Sequence, residues 1–388
     1  MKKYLMMILT LFLFGCQEKE TLLTFSYPYI ESDQHEKIQL MNTQVSMTIY
    51  KESFQEKAFE STNPVLSKLH QLADPHLNYV DNQQTSIANL KAVNDAYGKE
   101  AVKVNDQLID LLQLSIEIAQ LSDGYFNPTL GNLNDLWKPY FTSFPIELDG
   151  PNDNEVQQAK ACSIPYEQLE EYIIIDEEKQ QVQFLKYKDC EAVKLDLGAL
   201  IKGYAIEQVT PILKDNEHSY LLNLGESSTA FHHGSKDERN QWNVGIRHPL
   251  DPAKLLYVLP IEGSRVLSTS GSSMQYFLQT VEDGTVLRHH ILNPYTGYSE
   301  NTFLSITLIA QQRADILDAL STICFNLKSI EEIQQMIAKF EDTYKLDIEP
   351  LIVKEAENHN LELYASEEIY SKIDPTNFDS SIQAFNQI

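Results

Sequence analysis

The spacing of apolar positions changes several times along the chain, and each period predicts an element. Over residues 105–122, Leu108, Leu111, Leu112, Ile116 and Ile118 recur near every 3.6 residues, which predicts a helix stopped by Asp123-Gly124. Val65, Leu66, Leu69 and Leu72 predict a helix over residues 61–76, and residues 86–96 read as loop and short helix. Residues 198–214 read as a glycine-rich turn feeding a helix, 314–327 as a strongly apolar helix and 329–340 as another. Alternation predicts a strand pair or one long strand in "IQLMNTQVSMTIYKE" (38–52). It predicts strands in "EYIIID", "QVQFLKY", "AVKLDL", "YLLNLG", "WNVGIRHP", "LLYVLPI" and "HHIL" as well. The end, "LELYASEEIYSKI", reads as strand, turn and terminal helix. No internal repeat or regular βαβ rhythm appears, so the expected class is α+β.

The first residues follow another logic. Lys2 and Lys3 precede an apolar run from Tyr4 to Phe14, shorter than the roughly 20 residues a membrane span needs. The run reads as a secretory signal. Leu13-Phe14-Gly15-Cys16 resembles a bacterial lipobox, in which the cysteine is lipidated after cleavage; the other reading is a plain signal with a chance cysteine. The expected division is a signal peptide at 1–15, a lipidated tether with an entry strand at 16–37, and a folded domain at 38–388. That places the protein on the extracytoplasmic side of the cell membrane, held through Cys16.

Charge narrows the partners. Thirty Lys plus Arg against 56 Asp plus Glu leave −26, a surface that repels nucleic acid and anionic membrane. Cys162, Cys190 and Cys324 are too few and too widely spaced for a disulfide framework. Cys162 and Cys190 are free to pair, which spacing alone does not show. Without C-x-x-C, a structural zinc site is not indicated.

Four stretches carry candidate chemistry. In "DLGALIKGYA", Asp196 closes a strand and Gly198 and Gly203 bracket a turn holding Lys202, where backbone can approach a ligand or simply turn. In "DALST", Asp318 and Thr322 share a helix face, with Ser321 one step around. A carboxylate on so apolar a helix suits a hard cation such as magnesium, or lies at the helix edge in water, as Asp315 is expected to do. The aromatics of "FNPTLGNLNDLW" line a planar-ligand pocket or plug an apolar gap. His232 and His233 read as surface residues. In "HHILNPYTG", the turn dipeptides Asn293-Pro294 and Thr296-Gly297 place two histidines beside a sharp bend, facing a cleft or the surface. No P-loop, nucleophile elbow, zincin motif or dinucleotide fingerprint is present.

Taken together and in order, "MNT" at Met41, "SDGYFNPTLGNLNDLW", "LDLGALIKGYAIEQV", "LLNLGESS", "WNVGIRHP", "LSTSGSSMQYF", "HHILNPYTG" and "ADILDALST" resemble the ApbE-like flavin transferases. The resemblance implies a tunnelling-fold α+β architecture and magnesium-dependent transfer of FMN from FAD to a threonine of an acceptor flavoprotein, releasing AMP. It implies metal ligands at Asp318, Thr322, Ser321 and the Ala199 carbonyl. It implies FAD contacts at Met41, Tyr79, Tyr125, Phe126, Asn127, Asp196, Lys202 and Ile291. His290 would be the general base, with His289 its outward-facing strand neighbour. Asn127 stands where the family commonly has aspartate, and Gly225-Glu226 where it has Gly-Gly. Rival readings are an FAD pyrophosphatase using water as acceptor, a flavin-binding lipoprotein without catalysis, and a solute-binding lipoprotein of unrelated fold, against which the ordered motifs speak.

Overall fold

The computed structural model describes residues 23–49, 52–142, 144–214, 219–225, 227–232, 241–251, 253–357 and 359–388. The proposed signal peptide, Cys16, Glu226 and His233 lie outside them.

Among the described residues, nine strands form the main sheet, and their order in space is their order in sequence. They are β1 (Leu23–Ser26), β2 (Val45–Ile49), β3 (Tyr220–Leu224), β4 (Ser228–His232), β5 (Arg265–Gly271), β6 (Ser305–Ala310), β7 (Glu349–Glu355), β8 (Leu361–Ala365) and β9 (Ile382–Gln387). Neighbours pair antiparallel through β8, and β9 joins parallel. Strand period two gives the sheet two faces. Leu222, Ala230, Val266, Ile306 and Leu308 belong to the apolar core on one face. Leu221, Phe231, Leu267 and Ile309 belong to a second core on the other.

Helices cover the first face: α1 (Glu52–Ala73), α2 (Asp106–Leu121), α3 (Ile201–Lys214) and α4 (Ala314–Phe325). Asn105 caps α2 by accepting from the Gln107 N–H at 3.1 Å. Left-handed Asp123 and Gly124 end it, with the Gly124 N–H on the Ala119 carbonyl at 2.9 Å. In α4 every residue but Thr322 is buried, as a helix apolar nearly all round requires. The second face carries a two-stranded hairpin of Gln241–Arg247 and Leu255–Glu262, which buries Trp242, Ile246, Leu256 and Leu259. Among the described residues, no helix is long and apolar enough to cross a membrane.

The α+β expectation holds, with local corrections. The helix expected from residue 61 starts at Glu52 and runs through Pro64. The Ser61 and Thr62 hydroxyls donate back to the Lys57 and Ala58 carbonyls at 2.8 and 2.6 Å, near the point where the proline leaves a carbonyl unpaired. Residues 38–52 are no continuous strand, because a short 3-10 turn with left-handed Met41 and Asn42 interrupts them. "AVKLDL" runs extended without a strand partner among the described residues, and the strand through "HHIL" stops at His289. The end is a strand, since β9 follows the expected terminal helix. Cys162 and Cys190 form a disulfide, and Cys324 is a buried free thiol.

Candidate active site

A cleft of about 940 Å³ runs along the second face of the sheet. Alternate residues of β3 to β6 form its floor, among them Asn223, Thr229, Thr269 and Thr307, and Asn243 to Arg247 of the hairpin form a wall. At the helix layer it reaches Ala199, Lys202, Asp318 and Thr322, and it takes in the turn Tyr125-Phe126-Asn127. Such a volume lies at the upper end of the ~300–1,000 Å³ range of small-molecule sites.

Asp318 is 4% exposed. Its Oδ2 accepts from the Gly203 backbone N–H at 2.9 Å, and its Oδ1 from the Ser228 and Ser268 hydroxyls at 3.0 and 3.3 Å. The Lys202 ammonium lies 3.7 Å from Oδ1. Donors and a cation thus offset the cost of burying this carboxylate. Gly203 makes the approach feasible: a Cβ there would overlap the Ala314 carbonyl and come to 2.7 Å from the Asp318 Cβ. Its role is close packing of α3 on α4, where the sequence suggested ligand approach. Thr322 lines the cleft beside Ser270, 3.3 Å away. Ser321 is buried behind them, 2.9 Å from the Ser270 hydroxyl and donating to the Asp318 carbonyl. Asp315 corrects the edge expectation: it is buried, and Arg313 grips it with two 2.9 Å bonds.

Of the two histidines, His290 lines the cleft as expected, whereas His289 does not face outward. His289 is fully buried. Its Nε2–H donates to the Glu300 carbonyl at 2.8 Å and its Nδ1 accepts from the Ile291 N–H at 3.3 Å, so the ring braces the turn. Desolvation, with the Arg288 charge, lowers its pKa to about 4. His290 follows the strand end and faces the cleft with an exposed ring. Desolvation by the surrounding protein, then the charges of His289 and Lys202, lower its pKa below the usual histidine value. Asn293 holds the bend, accepting from Tyr295 N–H at 2.8 Å and donating to Glu300 at 2.8 Å, while left-handed Gly297 accepts from the Trp137 indole at 3.0 Å.

Met41, Tyr125, Phe126, Asn127, Asp196 and Ile291 all line the cleft. Tyr79 does not: it is fully buried, 2.9 Å from His70 Nε2, and donates to Asp74 at 2.7 Å. His70 and Asp74 reach the cleft in its place, and His70 Nδ1 accepts from the Met41 N–H at 2.8 Å, holding that left-handed residue. Sequence reasoning missed this pair, although their i, i+4 spacing at the end of the predicted helix was a usable signal. It also missed Ser228, Ser268 and Ser270, which alternation on β4 and β5 turns toward α4. Asn127 is engaged at both ends of its amide, donating to the Ile164 carbonyl at 2.8 Å and accepting from the Thr129 N–H at 2.9 Å. An aspartate would forfeit the first bond. The aromatic stretch does both expected jobs, since Tyr125 and Phe126 line the cleft and Trp137 fills a core. His232 is buried against Ser264 at 2.8 Å and is no surface residue.

Fold and site together define an α+β protein whose long cleft joins an aromatic turn to a buried carboxylate ringed by hydroxyls. The chain belongs to the ApbE family, whose pattern it matches over residues 41–346. It is 31% identical over 238 residues to an FAD:protein FMN transferase of Klebsiella pneumoniae, covering 61% of this chain and 67% of that one. A Treponema pallidum FAD:protein FMN transferase is 29% identical over 247 residues, covering 61% and 64%. The matched part thus spans about two thirds of these relatives' length. In solved structures, the Thermotoga maritima ApbE protein superposes with a TM-score of 0.65 at 22% identity, covering 90% of this chain and 99% of that one. The Vibrio cholerae flavin transferase ApbE does so at 0.65 and 18%, covering 91% and 99%.

Proposed function

We propose that this protein transfers FMN from FAD to a threonine hydroxyl of an acceptor flavoprotein and releases AMP. The observation that carries the reading is a cleft that brings Lys202, His290 and buried Asp318 together with an aromatic turn, in a chain of the ApbE family. The attacking oxygen bonds to the FMN phosphorus, the bond to the AMP phosphate breaks, and AMP leaves with its electron pair. The hydroxyl proton goes to the His290 ring. A neutral ring is ready to take it, and a bound pyrophosphate raises its basicity through its negative charge. Lys202 faces the phosphates, while Met41, Tyr125, Phe126, Asn127, Asp196 and Ile291 hold the flavin nucleotide.

Asp318 and Thr322, with the carbonyl of neighbouring Ala199, would hold magnesium through oxygen, as a hard cation prefers, and the Lys202 ammonium beside Asp318 supports a place where a cation is favourable. Ser321 orders Ser270 from behind. When bound, magnesium offsets charge on the phosphate oxygens and orients the leaving group.

Attachment through lipidated Cys16, outside the cytoplasm, completes the proposal. The disulfide between Cys162 and Cys190 supports an oxidising compartment. The deciding experiment incubates the protein with FAD, magnesium and a threonine-bearing flavoprotein subunit and reads intact mass. A gain of FMN on the acceptor supports transfer. Free FMN and AMP with an unmodified acceptor establish hydrolysis, and intact FAD a mere binder.

A further inference from the structure

The disulfide joins two segments that have no strand partners among the described residues, and both grip the same turn. On one side lies Cys162-Ser163-Ile164, after a short helix ending at Ala161. Ile164 is fully buried. Its carbonyl accepts from the Asn127 amide at 2.8 Å, and its N–H donates to the Thr129 hydroxyl at 2.9 Å. On the other side runs the extended stretch from Cys190 to Asp196. Here the Asp196 N–H donates to the Pro128 carbonyl at 2.8 Å, and the Gly131 N–H to the Lys194 carbonyl at 3.0 Å. The Asn132 amide donates to the Ala192 carbonyl at 2.6 Å, and the Asn134 amide to the Asp196 carboxylate at 2.9 Å. The turn is clasped between two flanks, and the disulfide is the covalent tie between them, with a sequence separation of 28. Each flank ends on a cleft residue, Asn127 through one and Asp196 through the other.

We propose that the Cys162–Cys190 disulfide is a positioning clamp for the ligand-binding turn, so that affinity for FAD depends on its oxidation while the chemical step does not. The inference rests on the flavin reading of the cleft. The separation of roles follows from topology. Asp318 and Lys202 sit on α4 and α3, and His290 follows a strand from Gly284 to His289, none of which makes these contacts. Cys190 is buried and its carbonyl is held by Tyr97 at 3.4 Å, whereas Cys162 is half-buried. Opening the bond therefore frees the Cys162 flank first, and with it the two bonds from Ile164 to Asn127 and Thr129. Such a dependence would keep the protein weak in FAD binding until it reaches an oxidising compartment.

The test measures FAD affinity by titration with magnesium present, and KM and kcat for FAD. It compares the oxidised protein, the protein reduced by a phosphine, and Cys162→Ala/Cys190→Ala. Reduction yields two thiols; the phosphine gives two electrons and becomes its oxide, with water supplying the oxygen and both protons. The expected result is a rise in Kd and KM of about tenfold, from the loss of two ordinary hydrogen bonds. The expected kcat stays within about twofold. The double variant should match the reduced protein and ignore the phosphine. Thr129→Val, with the disulfide intact, should raise KM in the same direction, which keeps the test decisive if the reduced protein unfolds. Unchanged FAD affinity in Thr129→Val and in whichever disulfide-free forms remain folded overturns the clamp. A fall in kcat at unchanged Kd overturns it too. Failure of the oxidised protein to bind FAD at all sinks the flavin reading, and the clamp's ligand with it.

Discussion

Gly203→Ala has an effect whose sign separates local propensity from tertiary packing. Residue 203 lies inside a helix, and there alanine normally stabilises by about 1 kcal/mol over glycine. In this fold the added methyl overlaps the Ala314 carbonyl oxygen, lies 2.6 Å from the Ala314 carbonyl carbon and 2.7 Å from the Asp318 Cβ. The last distance is about 0.8 Å short of an ordinary carbon–carbon contact near 3.5 Å. Relief requires α3 and α4 to part by a comparable amount. Overpacking of this kind costs about 1–3 kcal/mol. Parting also stretches the 2.9 Å bond from the Gly203 N–H to Asp318, a charge-assisted bond worth about 1.5–3 kcal/mol. Set against the propensity gain, the net loss is roughly 2–5 kcal/mol. Denaturant unfolding of the parent and the variant, followed by far-UV circular dichroism and by tryptophan fluorescence, reads the difference. A Gly203→Ala variant equal to or more stable than the parent would refute the helix-contact reasoning.

The remaining predictions concern the site and the anchor. His290→Asn should slow single-turnover transfer by about 10²–10⁴-fold with FAD affinity kept, whereas His289→Asn should act on stability by losing buried bonds worth about 1–3 kcal/mol; equal unfolding midpoints for the two variants would contradict this. His289 has a folded pKa near 4, below its unfolded value of about 6.5. Its neutral burial is therefore fully favourable above pH ~6.5, and stability falls as pH drops toward 4, by roughly 3 kcal/mol for a shift of this size. A flat unfolding midpoint across that window would show the ring is not buried neutral. Asp318→Ala should abolish FAD turnover and the magnesium dependence of FAD binding, with Thr322→Ala milder because water replaces a neutral ligand; full Asp318→Ala activity at low magnesium rules the site out. Cys16→Ser should release the protein from membranes or leave it unprocessed, and a processed, lipidated Cys16→Ser protein in the membrane fraction would end the lipoprotein reading.

By itself the sequence determined much of the local structure. The 3.6-residue spacing of Leu108, Leu111 and Leu112 and the Asp123-Gly124 stop defined α2 within a residue at each end. The apolar run of "ADILDALST" announced a buried helix, and Asp318 stood out on it because a carboxylate there demands partners. Ordered motifs pointed to the family and to most of the cleft residues. Tertiary structure decided which partners Asp318 receives, because Gly203, Ser228 and Ser268 come from a helix and two strands far apart in the chain. It decided where the ring beside His290 goes. The strand ends at His289, so simple alternation no longer applies to His290, and the Glu300 carbonyl claims the ring expected to point outward. It replaced Tyr79 at the cleft by His70 and Asp74, since a tyrosine in a loop carries no periodicity that reveals its side. It paired Cys162 with Cys190 across a turn that neither cysteine adjoins in sequence. Local spacing reports which face of one element is apolar. It carries no information on which other element will cover that face, and the chemistry of this cleft is made where those elements meet.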